Sequence, residues 1–138
     1  MDKNYNLFLD DNRKPSDVTW VELPLVPWVV VRGCDTFIST ISRYGLPRIV
    51  SFDHDLCDEH YERYFKAKKT GAFDYNNLTV RTGLDAAKWL VKYCEMFHKL
   101  LPECHIHTRN HFGEANIREV LKAFKPSKKA IKNLTDSQ

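Results

Sequence analysis

The chain has 138 residues, of which 43% are hydrophobic and 28% are charged, and its formal net charge at pH 7 is +3. This length predicts one domain with a core large enough to fold without disulfides. The composition is that of an ordinary globular protein. The longest apolar stretch, residues 23–31, contains two prolines and is far too short to span a bilayer. We therefore expect no membrane partner.

The N-terminus and the cysteines predict a cytoplasmic location. Residues 1–6 lack the charged and apolar regions of a signal peptide. The cysteines form no Cys-x-x-Cys pair, so we expect reduced thiols in the cytosol. Much of the excess positive charge lies near the C-terminus, at Lys122, Lys125, Lys128, Lys129 and Lys132. Such a cluster is more typical of a solvated helix end than of a contact with polymeric nucleic acid.

Four short apolar runs predict β-strands. They lie at residues 5–9, 28–32, 48–52 and 104–108. The second run is rich in β-branched residues, which is typical of a strand covered on both faces. The proline-rich residues 12–27 separate the first two strands and predict a loop with at most one short helix.

Apolar residues at helical spacing predict three helices that alternate with these strands. Asp35 is the expected N-cap of the first helix. The second helix is expected to open at Thr82 or Gly83, and it carries the clearest apolar stripe in the chain. The last is expected to begin near Gly113 and carries its apolar residues at 117–124, and we expect the basic polar tail at residues 127–138 to be poorly ordered.

This alternation implies right-handed crossovers and a parallel sheet. We expect one receiver-like (flavodoxin-like), doubly wound α/β domain over residues 1–126, in three α/β/α layers with strand order 2-1-3-4. An insertion at residues 56–81, rich in Tyr, Phe, Lys and His, follows the third strand. Its aromatic helix near residues 59–69 would either pack on the domain surface or act as a lid that stacks a base and binds phosphate.

Acidic residues follow the first and third predicted strands. Asp10 and Asp11 follow the first strand, and Asp53 and Asp55 flank His54 after the third. Because these two strands are expected to be neighbours, the carboxylates should meet at one edge of the sheet. Their mutual repulsion favours a bound cation, and oxygen ligands favour Mg²⁺ or Mn²⁺. We therefore predict a site for one divalent ion, with Asp10, Asp11 and Asp53 as ligands.

This acidic arrangement is that of the Mg²⁺ site in receiver domains, but two histidines are unusual there. His54 lies beside Asp53, and His107 ends the fourth predicted strand. Both titrate near neutral pH, which suits a hydrolase better than a phosphate acceptor. The predicted elements also lack the fifth strand and the lysine with which receivers contact an aspartyl phosphate.

Four ordered motifs resemble those of the cyclic-phosphate processing receiver-like domain (cREC) family. LDDNRKP at residues 9–15 is similar to the family's LDDxRxP opening, and SFDHDL at residues 51–56 is similar to its LDHDL centre. TGLDAAKWL at residues 82–90 resembles its TG-led helix. HTRN at residues 107–110 resembles its HSxN close, with Thr in place of Ser.

The resemblance implies a metal-dependent phosphoesterase that hydrolyses a cyclic phosphate of a nucleotide or nucleotide-derived molecule. His54 or His107 would then move the proton at the leaving oxygen. Asp55 would orient His54 or join the metal ligands. The phosphate would be held by Arg13, Thr108 and Asn110. For Arg13, an ion pair with Asp11 or Asp17 is an equally open alternative.

Other interpretations stay open at this stage. A zinc site built from Cys57 and His60, or from His107 and His111, has suitable ligands but no complete set. A receiver-like domain that binds a nucleotide or a partner protein without turnover is a second alternative. Phosphorylation at Asp53 is a third. The sequence leaves the substrate open among a 2′,3′-cyclic end, a cyclic dinucleotide and an ADP-ribose cyclic phosphate.

Overall fold

The computed structural model describes residues 4–136, and its four strands form one parallel sheet. The strands are β1 (Asn6–Leu9), β2 (Val29–Val31), β3 (Ile49–Phe52) and β4 (Glu103–Ile106). Their order in the sheet is β2-β1-β3-β4. Leu9 is level with Val31 on one side and with Phe52 on the other. The receiver-like, flavodoxin-like fold and the strand order expected from the sequence are confirmed.

Within the described residues, the loop after β1 holds one short 3-10 helix (Pro15–Asp17), and five α-helices accompany the sheet, namely α1 (Cys34–Tyr44), α2 (Asp58–Thr70), α3 (Gly83–Met96), α4 (His111–Ala123) and α5 (Lys128–Asp136). The N-cap of α1 is Gly33, and Asp35 lies in the first turn, where its charge still favours the helix dipole. α4 begins at His111, close to the start expected near Gly113. The Asn110 side chain accepts a hydrogen bond from the Gly113 N–H and so caps it. Each helix within the described residues is too short or too polar to serve as a membrane span.

The prediction of a poorly ordered tail is wrong for the residues that form α5. The Ser127 hydroxyl oxygen accepts a hydrogen bond from the Ala130 N–H, and Ala130 itself is buried. Ile131 and Leu134 stay about half exposed. The tail therefore gains its order from one cap and one small buried side chain, which a search for a broad apolar stripe does not detect. Residues 137–138 of the predicted tail lie outside the described residues.

Side chains alternate along the strands and enter two different environments. The main core joins the sheet to α1, α3 and α4 through Leu7, Leu9, Phe37, Val50, Phe52, Leu90 and Ile117. On the opposite face, the Phe8 ring contacts Trp28 edge-on at 6.0 Å and stacks on His107 at 4.4 Å between ring centroids. Apolar packing on both faces fixes the carboxyl ends of β1 and β3 next to each other.

The N-terminus of α3 is packed tightly against the end of β3. The Thr82 side chain accepts hydrogen bonds from N–H groups in the first turn, and the Asp85 carboxylate accepts one from the Thr82 N–H. The Gly83 N–H donates to the His54 carbonyl at 2.9 Å. A Cβ atom added at Gly83 would lie 1.7 Å from the Asp53 carbonyl oxygen. Only glycine fits at this contact because the opposing atom belongs to the backbone.

We expect Gly83→Ala to lower the free energy of unfolding by at least about 2–3 kcal/mol, because α3 must move away from β3. Gly33→Ala is the matched control, since an added Cβ there meets nothing within 4 Å. The free energy of unfolding of Gly33→Ala should fall by less than about 1 kcal/mol, the scale of a weakened N-cap. Urea unfolding monitored by circular dichroism measures both. Equal losses in the two variants would contradict the close approach.

Candidate metal centre

The carboxyl ends of β1, β3 and β4 bring three buried side chains together. Ligand atoms of Asp10, Asp53 and His107 all lie within 4.8 Å of one another. The Asp10 N–H still donates to the Val31 carbonyl and the Asp53 N–H to the Leu9 carbonyl, so the sheet's hydrogen bonding extends to both acids. The structure thus brings together two of the three predicted metal ligands at the predicted edge of the sheet.

Asp10 is well supplied with hydrogen-bond donors. Its Oδ1 accepts from the N–H groups of Asn12 at 2.9 Å and Arg13 at 2.8 Å. Its Oδ2 lies 3.0 Å from His107 Nε2 and 3.5 Å from Arg13 Nη1. Burial by itself raises the pKa of the Asp10 carboxyl, but these hydrogen bonds outweigh burial and hold the pKa below its ordinary value. Asp10 is therefore anionic in the folded protein.

Asp53 has fewer hydrogen bonds than Asp10 to offset the effect of burial on its pKa. Its Oδ1 accepts from the His54 N–H at 2.8 Å, whereas its buried Oδ2 has no hydrogen-bond partner. Arg13 Nη1 lies 3.9 Å from that oxygen. Burial, followed by the negative charge of Asp10, raises the pKa of Asp53 to about 8 despite the nearby Thr108 hydroxyl. An orphaned buried carboxylate oxygen beside a second carboxylate is a donor set that fits a hard divalent cation.

Asp11, the third predicted ligand, stands outside this close group. Its carboxylate is half-buried and accepts a hydrogen bond from the Tyr61 hydroxyl at 3.0 Å. Burial, together with the charge of Asp10, raises the pKa of Asp11. Burial and the charges of Asp11 and Asp53 also raise the pKa of the Tyr61 phenol, which therefore keeps its proton. A metal role for Asp11 stays a prediction.

His107 lies behind Asp10 in the interior. Its ring is fully buried and stacks on Phe8. Nδ1 lies 2.7 Å from the Ser51 hydroxyl and Nε2 lies 3.0 Å from Asp10 Oδ2. This network assigns the proton to Nε2, which donates to Asp10, while the Ser51 hydroxyl donates to Nδ1. Burial lowers the pKa of His107 even though Asp10 acts in the opposite direction, so the ring is neutral.

His54 is also fully buried, where β3, α4 and the insertion meet. Its Nδ1 lies 2.7 Å from Asp55 Oδ1, and its Nε2 lies 2.9 Å from the Tyr75 hydroxyl. The Asn110 amide donates to the same Asp55 oxygen at 3.0 Å. A Cβ atom added at Gly113 would lie 2.3 Å from the imidazole Cγ, so α4 approaches the ring as closely as a helix can.

Neither predicted proton-transfer histidine faces solvent, and every ring nitrogen of the pair has a partner in the interior. As placed, His107 orients Asp10, and His54 fixes the backbone that follows Asp53. Asp55 orients His54, which is one of the two roles expected for it. Asn110 caps α4 and binds Asp55, so both of its amide atoms are engaged away from a phosphate. The catalytic and phosphate-binding roles of these residues stay predictions.

Arg13 and Thr108 are the predicted phosphate-binding residues that the structure does place at the acidic pair. The Arg13 side chain is 27% exposed and contacts Asp10 and Asp53 through the same guanidinium nitrogen. This contact resolves the alternative partners expected for Arg13, because its ion pairs are with neither Asp11 nor Asp17. Thr108 is buried next to Asp53. Both residues can offer hydrogen bonds to an anion that binds over the carboxylates.

Trp20 and Arg109, which lie at the mouth of the site, were not identified by the sequence analysis. The guanidinium carbons of Arg13 and Arg109 lie 4.9 Å and 4.7 Å from the centroid of the same Trp20 ring. The Trp20 Nε1–H donates to the His107 carbonyl at 2.7 Å. Nothing in the spacing of the loop that holds Trp20 could indicate this contact, because it depends on the path of an irregular segment across the sheet.

Hydrogen bonds of the His60 side chain connect the two ends of the insertion. His60 Nδ1 accepts from the Leu56 N–H at 2.8 Å, and Nε2 donates to the Val80 carbonyl at 2.8 Å. Cys57 and Glu59 lie close enough to His60 to suggest a second metal group. Both imidazole nitrogens are already engaged with the backbone, however, so this histidine is not free to bind zinc. The cluster braces the insertion.

A family model described as cyclic-phosphate processing receiver domain matches residues 5–123. The matched span includes all four strands and each residue of the metal centre. No curated protein and no solved structure matches the chain. The family assignment therefore rests on this family model.

We expect Asp53→Asn to raise the melting temperature at pH 8–9 in EDTA. The pKa of Asp53 is raised to about 8, so the folded state favours the protonated carboxyl. Its contribution to stability is fully present below the ordinary aspartate pKa and is lost as the pH rises through about 8. A neutral amide avoids that loss. The same variant should also lose any increase in melting temperature caused by Mg²⁺ or Mn²⁺.

Differential scanning fluorimetry across pH 5–9, with EDTA or with each metal, measures both effects. Asp58→Asn is the control, because Asp58 is exposed in the first turn of α2. A divalent-ion shift that survives in Asp53→Asn would contradict the assignment of Asp53 to the metal centre.

Proposed function

The chain belongs to the cyclic-phosphate processing receiver domain family, and on that premise we propose that it hydrolyses the cyclic phosphate of a nucleotide or nucleotide-derived substrate. The reaction would depend on one divalent ion, Mg²⁺ or Mn²⁺. The product would be a linear phosphomonoester. The family match by itself gives only a receiver domain associated with cyclic-phosphate processing. The activity and the cofactor are inferred from the residues of the site.

The observation that carries the proposal is the unpartnered Oδ2 of Asp53. Asp53 is only 2% exposed, and this oxygen faces Asp10 across the acidic pair. A purely structural carboxylate at this depth is normally satisfied by hydrogen bonds. The protein instead leaves one oxygen free next to a second anion. A cation that binds both carboxylates would remove the repulsion and supply the missing partner.

Asp10 and Asp53 would hold the ion, with Asp11 as the third carboxylate. When bound, such an ion supplies positive charge at the phosphate and lowers the pKa of an attacking water. His107 keeps the Asp10 carboxylate in one orientation through its Nε2–H. Holding a ligand by a hydrogen bond from behind is a common feature of metal centres, and its loss typically weakens metal affinity or activity.

In the proposed reaction, the water oxygen forms a bond to phosphorus and the bond from phosphorus to one ribose oxygen breaks. The water loses a proton and the leaving ribose oxygen gains one. Arg13 and Thr108 would bind phosphate oxygens. The Tyr61 hydroxyl donates its hydrogen bond to Asp11 and so orients this third carboxylate. The aromatic insertion thus contributes a polar group to the site.

The acidic pair also suits the runner-up function, phosphorylation at Asp53. The free Oδ2 is the kind of oxygen that could attack a phosphodonor. In receivers, a lysine contacts the resulting phosphate. Within residues 4–136, the cation in ion-pair contact with Asp53 is Arg13 instead. Incubation with acetyl phosphate and Mg²⁺, followed by intact mass measurement, separates this function from hydrolysis.

We expect wild-type protein with Mg²⁺ or Mn²⁺ to convert at least one cyclic phosphate to a linear monoester. A panel of 2′,3′-cyclic mononucleotides, cyclic dinucleotides and an ADP-ribose cyclic phosphate, monitored by phosphorus NMR, measures this. Asp10→Asn and Asp53→Asn should abolish turnover while keeping the fold, because each amide removes one anionic ligand at nearly constant shape. Asp58→Asn should keep wild-type activity.

Turnover at the wild-type rate in both Asp10→Asn and Asp53→Asn would exclude the metal-dependent mechanism. A stable gain of one phosphoryl group on wild-type protein, absent from Asp53→Asn and accompanied by no turnover, would favour the phosphoacceptor function. Ligand binding without either reaction would favour a non-catalytic binding domain.

We expect His107→Gln to lower kcat by about 10–100-fold, the usual effect of removing a group that orients a metal ligand. Because the ring is buried and neutral, the shape of the pH–rate profile should not change. His105→Gln is the control, since His105 is half-buried on the same strand and pairs with Glu103. Loss of one limb of the profile in His107→Gln would show that His107 itself transfers the proton.

A further inference from the structure

The Trp20 ring, Arg13 and Arg109 form one unit at the mouth of the site. The proposed reaction gives a role to Arg13 but none to Trp20 or Arg109. Arg13 and Arg109 both stack within 5 Å of the Trp20 ring centroid, at 4.9 Å and 4.7 Å. The two arginines come from distant parts of the chain, one after β1 and the other after β4. A half-buried indole from the irregular segment before β2 is what brings them to one place.

The Trp20 ring is itself held in position. Its Nε1–H donates to the His107 carbonyl at 2.7 Å, which ties the indole to the chain at the end of β4. His107 is the residue whose side chain orients Asp10. The indole is therefore fixed relative to the acidic pair, and any group that stacks on the ring is fixed with it.

The main chains of both arginines are also anchored. The Arg13 N–H donates to Asp10, and the Arg13 carbonyl accepts from Arg32 Nη1 at 2.6 Å. The Arg109 carbonyl accepts from the Tyr64 hydroxyl of α2 at 3.3 Å. Only the outer parts of the two side chains can move, and stacking on the indole restricts them. Restricting long side chains before a ligand arrives reduces the entropy lost on binding.

The two cations of the unit differ in their contacts with protein carboxylates. Arg13 contacts Asp10 and Asp53, which the proposed function assigns to a divalent ion. Arg109 is exposed, and in the part of the chain that the structure describes its guanidinium has no carboxylate partner. Both guanidinium carbons lie within 5 Å of one ring centroid, so one anion beside the indole could accept hydrogen bonds from each side chain.

We propose that Arg13 and Arg109 form a two-arginine clamp for a phosphate group and that Trp20 is the positioning residue of this clamp. The assignment of that phosphate to the substrate rests on the proposed function. Planar guanidiniums suit phosphate because each offers two parallel N–H donors. Arg109 thereby becomes a substrate-binding residue, and the segment before β2 becomes part of the site.

The test measures the affinity of the full chain for inorganic phosphate in the presence of saturating Mg²⁺, using ¹H–¹⁵N NMR and the indole resonance of Trp20. We expect phosphate to shift this resonance in the wild-type protein. Arg109→Gln should weaken phosphate binding by about tenfold or more, the scale of a lost charged hydrogen bond. Trp20→Leu should weaken it by about threefold or more because the clamp loses its preorganisation, and Trp20→Phe should restore part of the loss. For the Trp20 variants, backbone resonances near Thr108 provide the readout.

Arg43→Gln is the matched control. Arg43 also stacks on an aromatic ring, that of Tyr44, at 5.3 Å, but it lies at the C-terminus of α1 and so at the opposite end of the sheet. Its phosphate affinity should equal that of the wild type. The Mg²⁺ affinity of Arg109→Gln and Trp20→Leu should also stay unchanged, which a role of Trp20 in holding the acidic pair together would not allow.

Equal phosphate affinities in Arg109→Gln and Arg43→Gln would overturn the clamp. A parallel loss of Mg²⁺ affinity in Trp20→Leu and Trp20→Phe would overturn the positioning role of Trp20. Failure of the proposed function is a separate result, because it appears as absent turnover of every cyclic phosphate by the wild type. The phosphate affinities of the variants decide the clamp in either case. If turnover is present, Arg109→Gln should raise KM and change kcat little.

Discussion

The close approach of two buried carboxyl groups, Asp10 and Asp53, is the constraint on which the rest of the site depends. Parallel pairing of β1 with β3 forces the two acids to end their strands side by side. Hydrogen bonds from His107 and the backbone keep Asp10 charged, and nothing comparable supports Asp53. The fold therefore retains an unfavourable arrangement that its hydrophobic core must outweigh. Such an arrangement is typical of a functional site, where local stability is lost in exchange for chemistry.

The sheet and the location of the site could be predicted from the sequence because both depend on local pattern and on one topological rule. β-branched runs and intervening helices indicated the order 2-1-3-4, and that order alone made Asp10 and Asp53 neighbours. The roles of the histidines could not be predicted in the same way. Alternation places His107 on one face of β4, but it does not reveal that Phe8 and Ser51 enclose the ring there. Burial is a tertiary property.

The two buried histidines show how a motif with catalytic residue types can serve to hold a site together. His54 links Asp55 to Tyr75, and α4 approaches the ring at a glycine. His107 links Asp10 to Ser51. An imidazole has two ring nitrogens that can each take part in a hydrogen bond, so each ring engages two polar groups in the interior. This capacity explains why histidine is useful at both positions without requiring that either ring touch a substrate.

The insertion after β3 contributes side chains to the wall of the site. Tyr61 at one end of it bonds Asp11, and Tyr75 near the other bonds His54. His60 connects the two ends of the insertion through the backbone. An opening of this segment would have to break these hydrogen bonds, and polar groups left without partners in the interior are costly. Of the two arginines stacked on Trp20, Arg109 is exposed and the Arg13 side chain is 27% exposed, so a ligand can reach both from solvent.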